Sequence, residues 1–338
     1  MNDYVRLAFT LASSIFWTAV MIVWMAIQVF KHKMDFFTQK KRERLPKVLD
    51  GWNHDSVKLS DVTLHYVHAG STDKPLMLMV HGFPEFWYSW RYQIRHFQSK
   101  YRVVAVDLRG YNESDKPSGI ANYSAARIGQ DLQELVIALG YKSCVLLAHD
   151  WGGAIAWGVA ARYPEVVDRL VICNCPHPKG MQKAIQSDRG QLLKSWYMFF
   201  FQCPILPELM FKARDFKFLD QALRGRAAGI KNRENFTDDD MEAWKYTFSR
   251  PGSITPPINY YRAAFQRLRA ATLPKAPIQA KTLIIWGTGD NFLQKAGATY
   301  SVDYCRDAKV QFIEGASHWV QQDEPQLVNR YIEEFLAE

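Results

Sequence analysis

Three side chains stand where strand patterns end, in an order that could carry out covalent chemistry. Asp150 lies in "LLAHDWGGAIAW", between an apolar strand pattern ending at Ala148 and a glycine-led apolar helix pattern. A tight strand-to-helix turn leaves little room for Cβ branches, and Ala148, Gly152 and Gly153 are all small. Asp290 follows the strand pattern "KTLIIWG", and His318 follows "VQFIEGA". Nucleophile, acid and histidine in that order describe a covalent intermediate that an oriented histidine helps water to cleave. A carboxylate is charged at pH 7 and needs no base before it attacks. Asp150 could instead be the N-cap of the following helix, a position that aspartate favours. Asp303 and Glu314 are rivals to Asp290 for the role of the acid.

A loop that could stabilise developing negative charge lies upstream. "HGFPEFW", His81 to Trp87, follows the third strand pattern and has the His-Gly-x-Pro form. Its Phe83 N–H is expected to face the N–H of Trp151, the residue after the nucleophile, so that both point into the site as an oxyanion hole.

The elements that must hold these groups follow from an alternation of strand and helix signals after residue 50. "VKLSDVTLHYVHAG" reads as two strands, "PLMLMVHGF" as a buried strand and "WYSWRYQIRHF" as a helix. "YRVVAVDLRG" is another strand, and Ser124 to Gly140 has the apolar spacing and glycine stop of a helix. "SCVLLAHD", "VDRLVICN", "KTLIIWG" and "VQFIEGA" are further strand patterns, and "EPQLVNRYIEEFLAE" is an amphipathic closing helix. Apolar strands alternating with helices predict an α/β fold with a mostly parallel sheet covered on both faces. Between about Pro176 and Thr272 the alternation stops, in an aromatic, helical stretch that includes "SWYMFFFQCPILPELMF" and "INYYRAAF". That stretch is expected to be a cap inserted over the carboxyl ends of the strands, where ligands bind in such sheets. The expected division is an anchor and basic linker at 1–49, a first core segment at 50–175, the cap at 176–272 and a second core segment at 273–338.

The N-terminus has a different character. From Leu7 to Phe30 no residue is charged, a length beyond the roughly 20 residues that cross a bilayer core as a helix. A signal peptide would have a shorter apolar region and a small-residue cleavage site, whereas this run ends in "QVFKHK". A buried helix would need a large partner surface. Lys31 to Lys47 carries seven Lys or Arg against Asp35 and Glu43. Before the span stand only Arg6 and, offsetting it, Asp3. The positive-inside rule then places everything after Lys31 in the cytoplasm, with the basic run against anionic headgroups. Sequons at Asn112, Asn122 and Asn235 would be usable only if the domain faced the lumen. The expectation is a single-pass protein of a membrane such as the endoplasmic reticulum.

Composition fits one large folded unit of 338 residues, 48% hydrophobic and 14% aromatic. The net charge of 42 − 34 = +8 is concentrated in the linker, and no nucleic-acid motif accompanies it. The five cysteines are odd in number and lack metal-type spacing, which predicts no disulfide framework and a reducing compartment.

With these pieces in place the chain resembles a known family. "HGFPEFWYSWRYQI", "DLRGYNESDKP", "HDWGG", "FFFQCP", "INYYR" and "SHWVQQDEP" together resemble the α/β-hydrolase-fold epoxide hydrolases, from about residue 50 to the end. The likeness is to the C-terminal domain of soluble epoxide hydrolase and to its single-span membrane relatives. It implies two cap tyrosines that donate to the epoxide oxygen. A tyrosine four positions before the Phe of the FQxP pattern maps onto Tyr197, ahead of Phe201, and the last tyrosine of "NYYR" maps onto Tyr261. Tyr260 and Tyr304 are expected to pack. Phe83, Trp151, Phe201 and Trp319 are expected to line the substrate site. Departures from the family pattern are Ala148 and Asn112 where glycine is usual, and "GTGD" before the acid. Ala148 is still small, and Asn112 tolerates positive φ better than most residues.

The implied reaction has Asp150 opening an epoxide while Tyr197 and Tyr261 protonate its oxygen. His318, oriented by Asp290, then directs water at the ester, and a vicinal diol leaves. No metal or organic cofactor is called for. A haloalkane dehalogenase would resemble "HGNP" where this chain has Phe83, and a fluoroacetate dehalogenase would have Arg where it has Trp151. A membrane-tethered binding protein with an idle hydrolase fold would be expected to have lost a member of the triad. A serine esterase is excluded at this elbow.

Overall fold

The computed structural model describes residues 3–266, 273–274 and 276–338. The side chains of Asp3 and Arg6, and the expected end of the cap at 272, lie outside the described residues. Eight strands form one sheet: β1 (Asn53–Lys58), β2 (Thr63–Ala69), β3 (Leu76–Val80), β4 (Arg102–Val106), β5 (Cys144–His149), β6 (Val167–Cys173), β7 (Lys281–Gly287) and β8 (Ala308–Ile313). Their order across the sheet is β1-β2-β4-β3-β5-β6-β7-β8. The pairs β1/β2 and β2/β4 are antiparallel, and the pairs from β4/β3 to β7/β8 are parallel.

Helix α1 (Asp3–His32) precedes the sheet. Helices α2 (Arg91–Phe97), α3 (Ala125–Ala138) and α4 (Trp151–Arg162) connect the parallel strands. The strand β3, "LMLMV", is buried throughout, as a central parallel strand covered on both faces should be. In α3 the residues Ile128, Leu132, Leu135 and Val136 are buried at i, i+4, i+7 and i+8, the stripe that a surface helix turns toward its sheet. The exposed edge strand β1 begins at Asn53, four residues before the strand pattern read at Val57. "NHDS" has no strand character of its own, and its pairing with Tyr66 to His68 and their neighbours makes it extended.

Between β6 and β7 come α5 (Pro178–Ser187), α6 (Gly190–Lys194), α7 (Trp196–Phe200), α8 (Leu206–Arg224), α9 (Asp238–Ser249) and α10 (Thr255–Gln266), with no strand among the described residues. α8 is interrupted at Ala213–Phe216, where Arg214, Asp215 and Phe216 take positive φ. These helices are fastened to loops at the carboxyl ends of the strands. Trp244 Nε1 donates to Pro84 O at 2.9 Å, the Tyr260 hydroxyl to Arg109 O at 2.8 Å, and Trp319 Nε1 to Ala222 O at 2.9 Å. The chain ends with α11 (Ala296–Ser301), α12 (Val320–Asp323) and α13 (Pro325–Leu336).

α1 does not stand apart from this body. Phe9 packs edge-on against Phe199 of α7 at 5.9 Å, and the rings of Trp17 and Trp196 lie 5.5 Å apart, tilted by 43°. Only 6% of its most apolar stretch is buried, so it is not a core helix. Part of the basic linker is also occupied. Arg42 is buried against α8 and α9, donating to Asp215 at 2.6 and 2.7 Å and to Glu242 at 2.9 Å. This corrects the expectation that the whole run faces lipid headgroups, because a guanidinium held by two carboxylates is no longer free to bind phosphate.

Candidate active site

Around β3 the strand order reverses, with β4 on one side and β5 on the other. In open α/β sheets such a switch point leaves a crevice beyond the carboxyl ends of the strands. Asp150 sits there, directly after β5, at φ 50° and ψ −120°. A residue with a Cβ holds such a conformation, at a cost of about 1–3 kcal/mol, only where its surroundings fix it. Here they do. A Cβ on Gly152 would lie 2.5 Å from Val80 O, and one on Gly82 would lie 2.5 Å from Asp150 Cβ, so both neighbours must be glycine for the turn to pack. The Asp150 side chain does not cap α4. Its Oδ1 accepts the Phe83 N–H at 2.8 Å, and its Oδ2 lies 3.4 Å from His318 Nε2. The helix-cap alternative is therefore set aside.

His318 Nδ1 lies 2.7 Å from Asp290 Oδ2. Asp290 is held in turn by the N–H groups of Phe292 and Leu293 on Oδ1, at 2.7 and 2.9 Å, and by Asn174 Nδ2 on Oδ2 at 2.7 Å. Asp303 pairs with Lys183 at 2.9 Å and Glu314 is exposed, so neither rival reaches the histidine. Burial alone would lower the His318 pKa. The Asp290 charge and the contacts with both carboxylates outweigh it and hold the imidazole up at about 10. Burial raises the Asp150 carboxyl, but His318 and the Phe83 N–H bring it below its ordinary value. Asp290 is lowered in the same way by His318 and Asn174.

Tyr197, in α7, and Tyr261, in α10, line one cavity of about 790 Å³ with Asp150 and His318, and their ring centroids are 5.8 Å apart. Burial, and next the nearby charge of Asp150 for Tyr197 and Tyr197 itself for Tyr261, push both phenols above their ordinary value, so both keep their protons. Tyr260 instead faces Arg109, and Tyr304 stacks on His177 at 4.8 Å. Phe83 and Trp319 line the cavity, but Phe201 and Trp151 do not. Phe201 is fully buried behind the lining, with its ring 5.7 Å from Phe83 and 5.0 Å from Tyr261, and Trp151 packs edge-on against Tyr261 at 4.9 Å. Phe201 supports the tyrosine from behind, and the partly buried Trp151 flanks it.

Three parts of the site were not read from the sequence. Glu85 is buried and accepts the Gly82 N–H at 2.9 Å and the side-chain amides of Gln321 and Gln322 at 2.9 and 3.0 Å. It also lies 2.6 Å from His149 Nδ1, and His149 Nε2 lies 2.9 Å from His318 O. This network ties the His81–Trp87 loop, the turn at Asp150 and the His318 loop together. Its signal was the acid within "HGFPEFW" and the histidine beside Asp150. Asn174, at φ 41° after β6, is the second, and nothing local marks it. The third is α1, which contributes Trp17, Met21 and Trp24 to the cavity wall.

Comparison with known proteins gives the family of the chain. The α/β hydrolase fold family matches residues 75–325. The chain is 48% identical to a Caenorhabditis elegans protein named epoxide hydrolase 2, over 87% of this chain and 82% of that one. It is 41% identical to human epoxide hydrolase 4, over 98% of this chain and 96% of the relative. A crystal structure of Bacillus megaterium epoxide hydrolase in complex with an inhibitor is 33% identical and superposes with a TM-score of 0.77, covering 84% of this chain and 100% of that one. The chain has the α/β-hydrolase fold and belongs to the epoxide hydrolases.

Proposed function

We propose that the protein hydrolyses lipophilic epoxides to vicinal diols through an ester on Asp150. The observation that carries this reading is the Asp150 carboxylate, turned away from the helix it could cap and into a cavity that also holds two protonated tyrosines. Oδ1 is held by the Phe83 N–H, which leaves Oδ2 to attack the epoxide carbon. The C–O bond breaks, and Tyr197 or Tyr261 gives its proton to the departing oxygen. The tyrosinate so formed is strongly basic and recovers a proton from the imidazolium of His318.

Esterification removes the charge on Asp150, which was one cause of the raised His318 pKa. The neutral ring can then take a proton from water, whose oxygen attacks the ester carbon. The Phe83 and Trp151 N–H groups stabilise the oxyanion at Oδ1. Collapse releases the diol and returns both the carboxylate and the imidazolium.

The size and aromatic lining of the cavity suit a ligand with a long apolar part, such as an epoxy fatty acid, and support a role in lipid metabolism. The uncovered apolar surface of α1 supports a membrane anchor at 1–49, followed by the core segments 50–175 and 273–338 around a cap at 176–272. The cytoplasmic orientation, in a membrane such as the endoplasmic reticulum, rests on the basic run that follows the span, and the sequons do not oppose it. The side-chain amides of Asn112, Asn122 and Asn235 are bonded to Asp107, Ser118 and Asp323 within the protein.

A single turnover in heavy-oxygen water is the test. Heavy oxygen should enter Asp150 and be absent from the first diol. His318→Gln should accumulate an intact-mass adduct of protein plus epoxide, with turnover reduced about 10³-fold or more. Label in the first diol and none in Asp150 would mean direct attack by water.

A further inference from the structure

The cavity that holds Asp150 extends beyond the cap. Trp17, Met21 and Trp24 line it from α1, spaced i, i+4 and i+7 on one helical face. Their exposure shows where the cavity opens. His318 and Trp319 are 2% and 1% exposed, whereas Trp24 of α1 and Leu193 of the cap are 38% and 70% exposed. The floor is therefore the catalytic end, and the mouth lies among Trp24 of α1, Leu193 of α6, Gln221 of α8 and Asn291, with α1 and the α6–α7 segment forming one side of it.

On the α1 side that mouth is set in apolar surface. Ile15, Phe16 and Val23 on α1 are uncovered, and the cap adds exposed Ile205 and Leu209. A surface of this kind is unfavourable in water and is stabilised by lipid. From Phe9, packed on Phe199, to Trp24 in the cavity wall, the helix runs roughly 22 Å at about 1.5 Å per residue. That is most of the roughly 30 Å hydrocarbon core of a bilayer. Whatever depth α1 reaches, the cap edge beside it and the mouth between them share that depth.

We propose that α1 is a wall of the substrate site as well as an anchor, and that an epoxide with a long apolar tail enters from the bilayer between α1 and the cap, its tail against Trp17, Met21 and Trp24. This rests on the epoxide-hydrolase reading above and adds to it the route and the residues that select chain length. Asp150 and the tyrosines set which bond is broken, while the α1 face favours substrates whose tails reach it. A short epoxide reaches the floor and leaves that face unused.

The test uses the full-length chain in phosphatidylcholine vesicles. It compares kcat/KM for an epoxidised long-chain fatty acid dissolved in the bilayer with kcat/KM for water-soluble epoxybutane. Trp17→Ala and Met21→Ala should each lower the long-to-short ratio about ten-fold, through KM for the long substrate. Ile15→Ala and Val23→Ala, on the uncovered side of the same helix, should keep the wild-type ratio. If Trp17→Ala fails to fold and loses both activities, Met21→Ala decides, because it removes a smaller side chain. A wild-type ratio in the cavity-face variant, or an equal fall in the uncovered-face variants, overturns the proposal. So does wild-type enzyme that hydrolyses epoxybutane and not the long epoxide. An enzyme that forms diol from neither substrate overturns the underlying reading as well.

Discussion

The two ends of the cavity are built on opposite principles. At the floor, Asp150, Asp290, His318, Glu85 and Asn174 are polar groups with fixed partners, and their hydrogen bonds run between loops that follow five different strands. At the mouth, Trp17, Met21, Trp24, Leu193 and Trp196 are apolar side chains with no directional contacts between them and the reacting bond. The floor fixes which atoms react, because buried carboxylates and an imidazole are stable only in one well-satisfied arrangement. The mouth sets which molecules arrive. Dispersion and apolar burial are proportional to area and tolerate many shapes.

This contrast can be broken at several levels. The largest effect belongs to the proposed nucleophile: Asp150→Ala should leave less than about one part in 10⁴ of kcat/KM, assayed as diol formed from a lipophilic epoxide. Activity near wild type would return the floor to a merely structural role and favour an idle binding protein. Tyr197→Phe and Tyr261→Phe should each reduce kcat by about 10- to 100-fold, and the double variant by about 10³-fold or more. A double variant no worse than either single one would mean that only one phenol donates.

Packing should separate the ends in the same way. Phe201→Ala removes a fully buried ring behind the tyrosines and should cost about 3–5 kcal/mol in denaturant unfolding, whereas Trp24→Ala at the mouth should cost less than about 1 kcal/mol. Equal losses would show that the mouth is as tightly built as the floor.

The smallest effect concerns pH. His318 has a folded pKa of about 10 against about 6.5 when unfolded. Its contribution to stability is therefore complete below pH 6.5 and is lost as pH rises through about 10. The melting-temperature gap between wild type and His318→Gln should be widest near pH 6 and should narrow steadily toward pH 10. A constant gap would mean that the imidazole is neutral at rest and that Asp150 esterification is not what frees it.

Much of the floor was legible in the sequence because each of its residues follows a strand at a fixed point. The small residues around Asp150 are demanded locally, by a turn in which a Cβ on Gly152 would strike the Val80 carbonyl. Asp290 and His318 follow apolar runs whose strand identity is plain from composition. Glu85 was quoted within its motif but given no role, since its partners Gln321, Gln322 and His149 come from distant parts of the chain. Phe201 and Trp151 were assigned to the substrate surface from the family pattern. An aromatic residue one layer behind a cavity reads the same in sequence as one that lines it. The linker was read as uniformly lipid-facing, yet Arg42 meets Asp215 at a break in α8 that no periodicity announces.

The sequence by itself determined strands β2 to β8, the helical stretch between β6 and β7, the apolar N-terminal helix and the placing of Asp150, Asp290 and His318 after strand ends, because hydrophobic period and turn chemistry are local properties. Only the tertiary structure decided the strand order, the network that holds Glu85 and Asn174 against the triad, and the meeting of α1 with the cap. Those depend on long-range pairing and on which apolar faces find each other, and burial is a property of the assembled chain, not of any segment.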